Sequence, residues 1–202
     1  MASEDKINEA RKIFLDNGGV LRTRDAIGEG IHPRTLYAMR DAGIVETMSR
    51  GLYRLSNLPP LGNPDIVAVA LKVTKGVICL ISALAYYEIT TQIPHYIYVA
   101  LPRGAEQPRM INPPVRPYWF SGRSFSEGIT KEEIDGIPVR IYSPEKTLAD
   151  CFKYRNKIGL EVALEALDLY RREKIVKVDE ILRFARINRV ENVMRPYLEA
   201  IL

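Results

Sequence analysis

Pro33-Arg34-Thr35-Leu36-Tyr37-Ala38-Met39-Arg40-Asp41-Ala42-Gly43 describes a short helix with both ends marked. Proline suits the first helical position, where its missing N–H would have had no partner, and glycine just past the end supplies a left-handed cap. Leu36 and Met39 fall three residues apart on one face, with Ile44 and Val45 close behind, while Arg34, Thr35, Tyr37, Ala38 and Asp41 are left for the other. One side is suited to packing and the other to touching a partner.

The flanks complete the motif. After the helix, the β-prone runs 44–48 and 52–55 enclose Ser49-Arg50-Gly51, which predicts a hairpin with a basic tip. Before it, Thr23 is placed to cap a helix running to about Gly28, with Asp25 near the positive end of its dipole, and Gly28-Glu29-Gly30 makes the turn between the two helices. Further upstream Ile7, Ala10, Ile13 and Phe14 recur at helical spacing until Asn17-Gly18-Gly19, and Val20-Leu21 is either a short strand or a supporting pair. Helix, short strand, helix, turn, helix and hairpin is the order of a winged helix-turn-helix. In that layout the second helix of the motif enters the major groove and the hairpin lies along the phosphates. Arg34, Thr35, Tyr37 and Ala38 are then expected on the groove side, with Arg50, Arg40 and Arg54 neutralising phosphates. The competing expectation is a protein-interaction module whose arginines are merely solvated.

Composition agrees with a folded chain that can meet an anion. Of its 202 residues 47% are hydrophobic and 27% charged, the ordinary globular range, and the net charge of +4 favours an anionic partner mildly. Cys79 and Cys151 lie far apart in apolar surroundings, as reduced buried thiols of a cytoplasmic protein would. No basic-then-apolar leader and no apolar run of membrane-spanning length is present, so no membrane association is expected. His32 and His95 have no ligand-spaced partners, and neither a phosphate loop nor a dinucleotide fingerprint occurs. Neither a metal, a cofactor nor a catalytic role is therefore expected.

Pro59, Pro60 and Gly62 mark a stiff connector, giving a winged head over 1–57, a linker over 58–64 and a second domain over 65–202. There the apolar stretch 64–73 predicts a helix and 77–81 a strand, after which Ser82 is placed to cap a helix to about Glu88. Another strand is expected over 96–101. Periodicity vanishes between Pro102 and Pro117, where five prolines predict an irregular loop before Tyr118-Trp119-Phe120 resumes a strand. Asp135-Gly136 joins the runs 130–134 and 137–142 as a tight hairpin, so a small mixed or antiparallel sheet is expected. Ser143-Pro144-Glu145 opens a helix with a cap, a first-position proline and a first-turn carboxylate; further helices follow, the last broken or kinked at Pro196. Lys153-Tyr154-Arg155 beside Asp150 suggests acid–base chemistry less than a surface ion-pair cluster. Arg171, Arg172, Lys174 and Lys177 form the densest basic run, expected to be a solvated helix end. The fold class is α+β.

Ser82-Ala83-Leu84-Ala85, the run from Tyr142 to Arg155, Leu160 to Leu167, and Ala185-Arg186 through Arg195-Pro196-Tyr197-Leu198, in that order behind a winged head, resemble the AbiEi-type antitoxins of type IV toxin–antitoxin systems. The resemblance implies a cytoplasmic regulator whose head represses its own operon and whose second domain counters a nucleotidyltransferase-like toxin, with or without direct contact, often in phage defence. It carries no catalytic motif. One head reads few base pairs, so the expected operator is an inverted repeat taken by a homodimer or by cooperative monomers. A ligand-responsive winged-helix regulator with a C-terminal sensor domain is the alternative.

Overall fold

Helix α1 (Glu4–Asp16), strand β1 (Val20–Arg22), helices α2 (Thr23–Gly28) and α3 (Pro33–Asp41), and strands β2 (Val45–Ser49) and β3 (Leu52–Leu55) appear in the order expected of a winged helix. The computed structural model describes residues 3–201. β3 is the middle strand of an antiparallel three-stranded sheet ordered β1-β3-β2. Phe14, Ala26, Leu36, Met39, Val45 and Tyr53 close one apolar core beneath it. Leu36 and Met39 are both fully buried, the packing face that their spacing requires. Thr23 does not cap α2: it is the first helical residue, Arg22 takes the cap position, and Asp25 is held by the Arg22 guanidinium.

This first unit comprises Met1–Lys72 and Glu133–Ile137, so it runs past the proline-rich connector and through helix α4 (Pro64–Lys72). Arg22 donates through Nη1 to the carbonyl of Leu71 at 2.9 Å, and Lys72 donates through Nζ to the carbonyl of Arg50. These bonds tie α4 to the sheet and its turn. Within the same unit the Asp135 carboxylate accepts the backbone N–H groups of Gly62 and Asn63 at 3.0 Å.

The second unit, Val73–Glu132 with Pro138–Leu202, continues with β4 (Val77–Ile78), α5 (Leu80–Tyr86), β5 (Ile97–Pro102), β6 (Val115–Phe120), α6 (Arg123–Ser126) and the greater part of β7 (Ile129–Ile134) and β8 (Ile137–Tyr142), whose joined ends, Glu133–Ile137, count with the first unit. Helices α7 (Pro144–Lys153), α8 (Arg155–Ile158), α9 (Leu160–Glu173), α10 (Val178–Asn188) and α11 (Glu191–Ile201) complete the chain. The sheet is mixed, ordered β6-β5-β4-β8-β7, with β4 parallel to β8 and antiparallel to β5, and β5 parallel to β6. Asp135 and Gly136 take φ of 52° and 76°, the positive angles that the tight β7–β8 turn demands. Ser143 caps α7 by accepting the N–H of Lys146 at 3.3 Å. Helix α11 runs unbroken through Pro196.

The start of this unit departs from expectation. The apolar run 77–81 is a strand only to Ile78; Cys79 then takes the cap position and Leu80, at φ 47°, turns the chain into α5, leaving Ser82 inside the helix. Ser82 bonds across instead, accepting the N–H of Tyr98 at 2.9 Å and donating to the carbonyl of Tyr96 at 3.2 Å.

The Asp150 cluster is not on the surface. Asp150 and Lys146, one turn apart, are both fully buried and paired, because α5, α9 and α10 all pack against α7. Asn188 donates to Asp150 at 2.7 Å, Ser124 donates to Asn188 at 2.5 Å, and Lys153 donates to Ser124 at 2.8 Å. Burial, the largest influence, raises the Asp150 carboxyl above the usual carboxylate range, and Lys146 opposes it. Lys146 also lies 4.2 Å from the Tyr142 ring centroid. No helix among the described residues is long and apolar enough to cross a membrane.

Candidate nucleic-acid interface

The first unit presents two exposed features, the outer face of α3 and the turn between β2 and β3. Helix α3 starts where His32 accepts the N–H of Arg34 through Nδ1 at 3.1 Å, with Pro33 at the first position. It stops where Gly43, at φ 68°, reverses the chain and the N–H of Ile44 returns to the carbonyl of Met39 at 2.8 Å. Both ends are thereby pinned, and the face opposite Leu36 and Met39 is held outward.

That face is narrower than expected. Arg34 is exposed, Tyr37 is 43% exposed and Ala38 is half-buried, but Thr35 is only 5% exposed and belongs to the packed side. The cause is angular: Thr35 precedes the buried Leu36 by one residue, about 100° around a helix, and the apolar stripe is wide enough to include it. Arg40 is exposed, paired with Asp41 at 2.8 Å and lying 5.2 Å from the Tyr37 ring centroid. Asp41 holds the Arg40 guanidinium protonated more firmly than usual.

The three-arginine set expected to meet phosphates divides. Arg50 is exposed at the turn between β2 and β3. Arg54, on β3, is 5% exposed; it pairs with Glu46 at 3.2 Å and donates to the carbonyl of Pro59. Its guanidinium braces the sheet against the connector and is out of reach of a ligand on the surface. Two other cations stand near the turn that the sequence did not single out. Thr23 at the start of α2 donates its N–H to the carbonyl of Gly51 at 3.0 Å, which sets Arg24, with 83% of its side chain exposed, beside the turn. Lys72 donates to the carbonyl of Arg50, and partial burial followed by the neighbouring Arg50 and Arg22 lowers its pKa below the ordinary lysine value. Arg24 is recognisable only once α2 and the turn are known to touch, and Lys72 only once α4 is known to join this unit.

Comparison with known structures gives a likeness of fold. The crystal structure of the RV2827C protein from Mycobacterium tuberculosis superposes with a TM-score of 0.58 at 12% identity, over 88% of this chain and 69% of that one. No curated protein matches the chain. The helices and hairpin that carry Arg34, Tyr37 and Arg50 nevertheless fall inside a segment with a family match: residues 8–56 match the family described as transcriptional regulator, AbiEi antitoxin.

Proposed function

We propose that the chain is a DNA-binding repressor of its own promoter and the antitoxin of a type IV system, countering a nucleotidyltransferase-like toxin. The observation that carries the DNA role is the pairing of an outward α3 face, bearing Arg34 and Tyr37, with an arginine-tipped turn on the same winged head. Arg34 and Tyr37, with Ala38 beside them, read base edges from the N-terminal turns of α3; Arg50, Arg24, Lys72 and Arg40 neutralise phosphates. Thr35 and Arg54 act within the head. The antitoxin role is supported by the family match over residues 8–56.

Titration of promoter DNA at several salt concentrations separates the two kinds of contact. Arg50→Ala weakens every duplex alike and lowers the salt slope by about one. Arg34→Ala costs about 1–3 kcal/mol at one base position and relaxes the preference there. An unchanged slope for the first, or a uniform loss for the second, removes the role assigned. The operator is an inverted repeat, so a duplex carrying one half-site binds far more weakly. Antitoxin activity is read as restored growth when the chain is co-expressed with a nucleotidyltransferase-like toxin of the class it is proposed to counter; continued arrest in the presence of folded chain sinks that part.

A further inference from the structure

The first backbone positions of helix α3 are not satisfied alike. Pro33 has no N–H to give, and the N–H groups of Thr35 and Leu36 return to the carbonyl of His32 at 2.9 and 3.1 Å. The Arg34 N–H alone depends on a side chain, the imidazole Nδ1 of His32 at 3.1 Å.

Histidine is an uncommon choice for that position. Asn, Asp and Ser are the strongest capping side chains, and α7 of this chain opens the same way with Ser143 ahead of Pro144. A serine hydroxyl keeps its acceptor across the physiological range. Nδ1 accepts only while the imidazole is neutral with its hydrogen on Nε2. A second proton turns Nδ1 into a donor facing the Arg34 N–H and sets a positive charge at the positive end of the helix dipole. The capped form therefore holds one proton fewer. It is favoured at higher pH and is lost as pH falls through the range, about 8 to 5, in which histidine takes up charge.

The surroundings leave that change unopposed. His32 is exposed, and the cleft beside it is lined by Lys6 and Glu9 of α1, two exposed charges of opposite sign, and by the uncharged Gly30, Ile31 and Thr35. Salt screens both charges. The first turn of α3 holds no acidic residue to steady an imidazolium, and its one charged side chain is the cationic Arg34.

We propose that His32 is the positioning residue for base reading by α3. Its neutral imidazole holds the first turn, and with it Arg34, in reading geometry; its protonation frees that turn, so discrimination between duplexes weakens in mild acid. The inference rests on the DNA-binding reading of the head.

Two measurements on the full chain test it, each made on the wild type, His32→Asn and His32→Ala. Asn keeps a capping oxygen that does not titrate. In thermal melts at a pH of about 8, wild type and His32→Asn are expected to coincide and His32→Ala to melt lower; at about pH 5.5 the wild type falls roughly 2–4 °C below His32→Asn. Comparing variants at one pH cancels every other titrating group. The second measurement is the ratio of affinities for promoter DNA and for a duplex altered at the base that Arg34→Ala identifies. A ratio cancels the added pull of an imidazolium on any phosphate backbone. It is expected to drop roughly fivefold in the wild type between about pH 8 and 5.5, to hold in His32→Asn, and to be low at both in His32→Ala. A ratio that responds alike in wild type and His32→Asn overturns the proposal, as does equal melting of the two at both pH values. If the wild type binds no duplex even at the higher pH, the DNA-binding reading itself falls and takes this inference with it, an outcome distinct from a chain that binds and discriminates at every pH.

Discussion

Arg50 and Arg54 stand four residues apart on one hairpin, yet one faces solvent and the other is packed beneath the chain. Residue type and local pattern are the same for both. What separates them is the position of β3 between β1 and β2, and β1 rests on so short a signal, Val20-Leu21, that its pairing is not evident before folding. Arg54→Ala leaves the Pro59 carbonyl and Glu46 without their partner and is expected to cost about 1–3 kcal/mol in urea unfolding, with the salt slope of DNA binding unchanged. A flatter slope at wild-type stability would return Arg54 to the phosphate-binding set. Asp150 repeats the lesson. Its neighbours in sequence suggest a wet ion-pair cluster, whereas three packed helices make it a buried counter-charge. Asp150→Asn strands the Lys146 ammonium in the core and is expected to cost about 3–5 kcal/mol, read from denaturant unfolding followed through Trp119. Pairing it with Lys146→Met recovers much of that loss; recovery of none would mean the pair is not the source of the penalty.

Elements with marked ends were legible, and those without were not. Pro33 and Gly43 bracket α3, Ser143-Pro144 opens α7 and Asp135-Gly136 turns the β7–β8 hairpin, each by a backbone preference that acts locally. Gly43 adopts φ 68° with nothing within 4 Å of where a Cβ would stand, so substitution meets no steric obstacle and its cost is conformational alone. Gly43→Ala is therefore expected to lower stability by about 1 kcal/mol, seen as a lower melting temperature with the fold intact. An unchanged melt would show that the left-handed cap is not what ends α3. By contrast, 77–81 is a short apolar run, and periodicity cannot separate a buried strand from the start of a buried helix over so few residues. The onset of β6 was hidden as well: Pro114 and Pro117 read as loop, but prolines are tolerated in a strand at the margin of a sheet.

For the molecule as a whole, the α+β class, the winged head and the helical C-terminal part followed from the sequence, while the extent of the head did not. Helix α4 joins it through the Leu71 carbonyl and the Lys72 ammonium, bonds to backbone oxygens that leave no trace in composition. Both cysteines sit in the core of the second unit, where burial raises their thiol pKa values. The native chain is thus expected to resist an aromatic disulfide reagent and to release both thiols together once unfolded. Rapid labelling of either under native conditions would show that the core opens locally.

Strand β6 has one further consequence. Pro114 and Phe120 turn their carbonyls toward the neighbouring strand, accepting from Ile97 and Arg103, so by alternation Val115, Pro117 and Trp119 point their backbone groups away from it. Pro117 has no hydrogen to give, and the Trp119 carbonyl is already taken by the Tyr154 hydroxyl at 3.3 Å. A second molecule drawn to this rim finds no continuous ladder to extend, which guards a crowded solution of the protein against fibre-like templating.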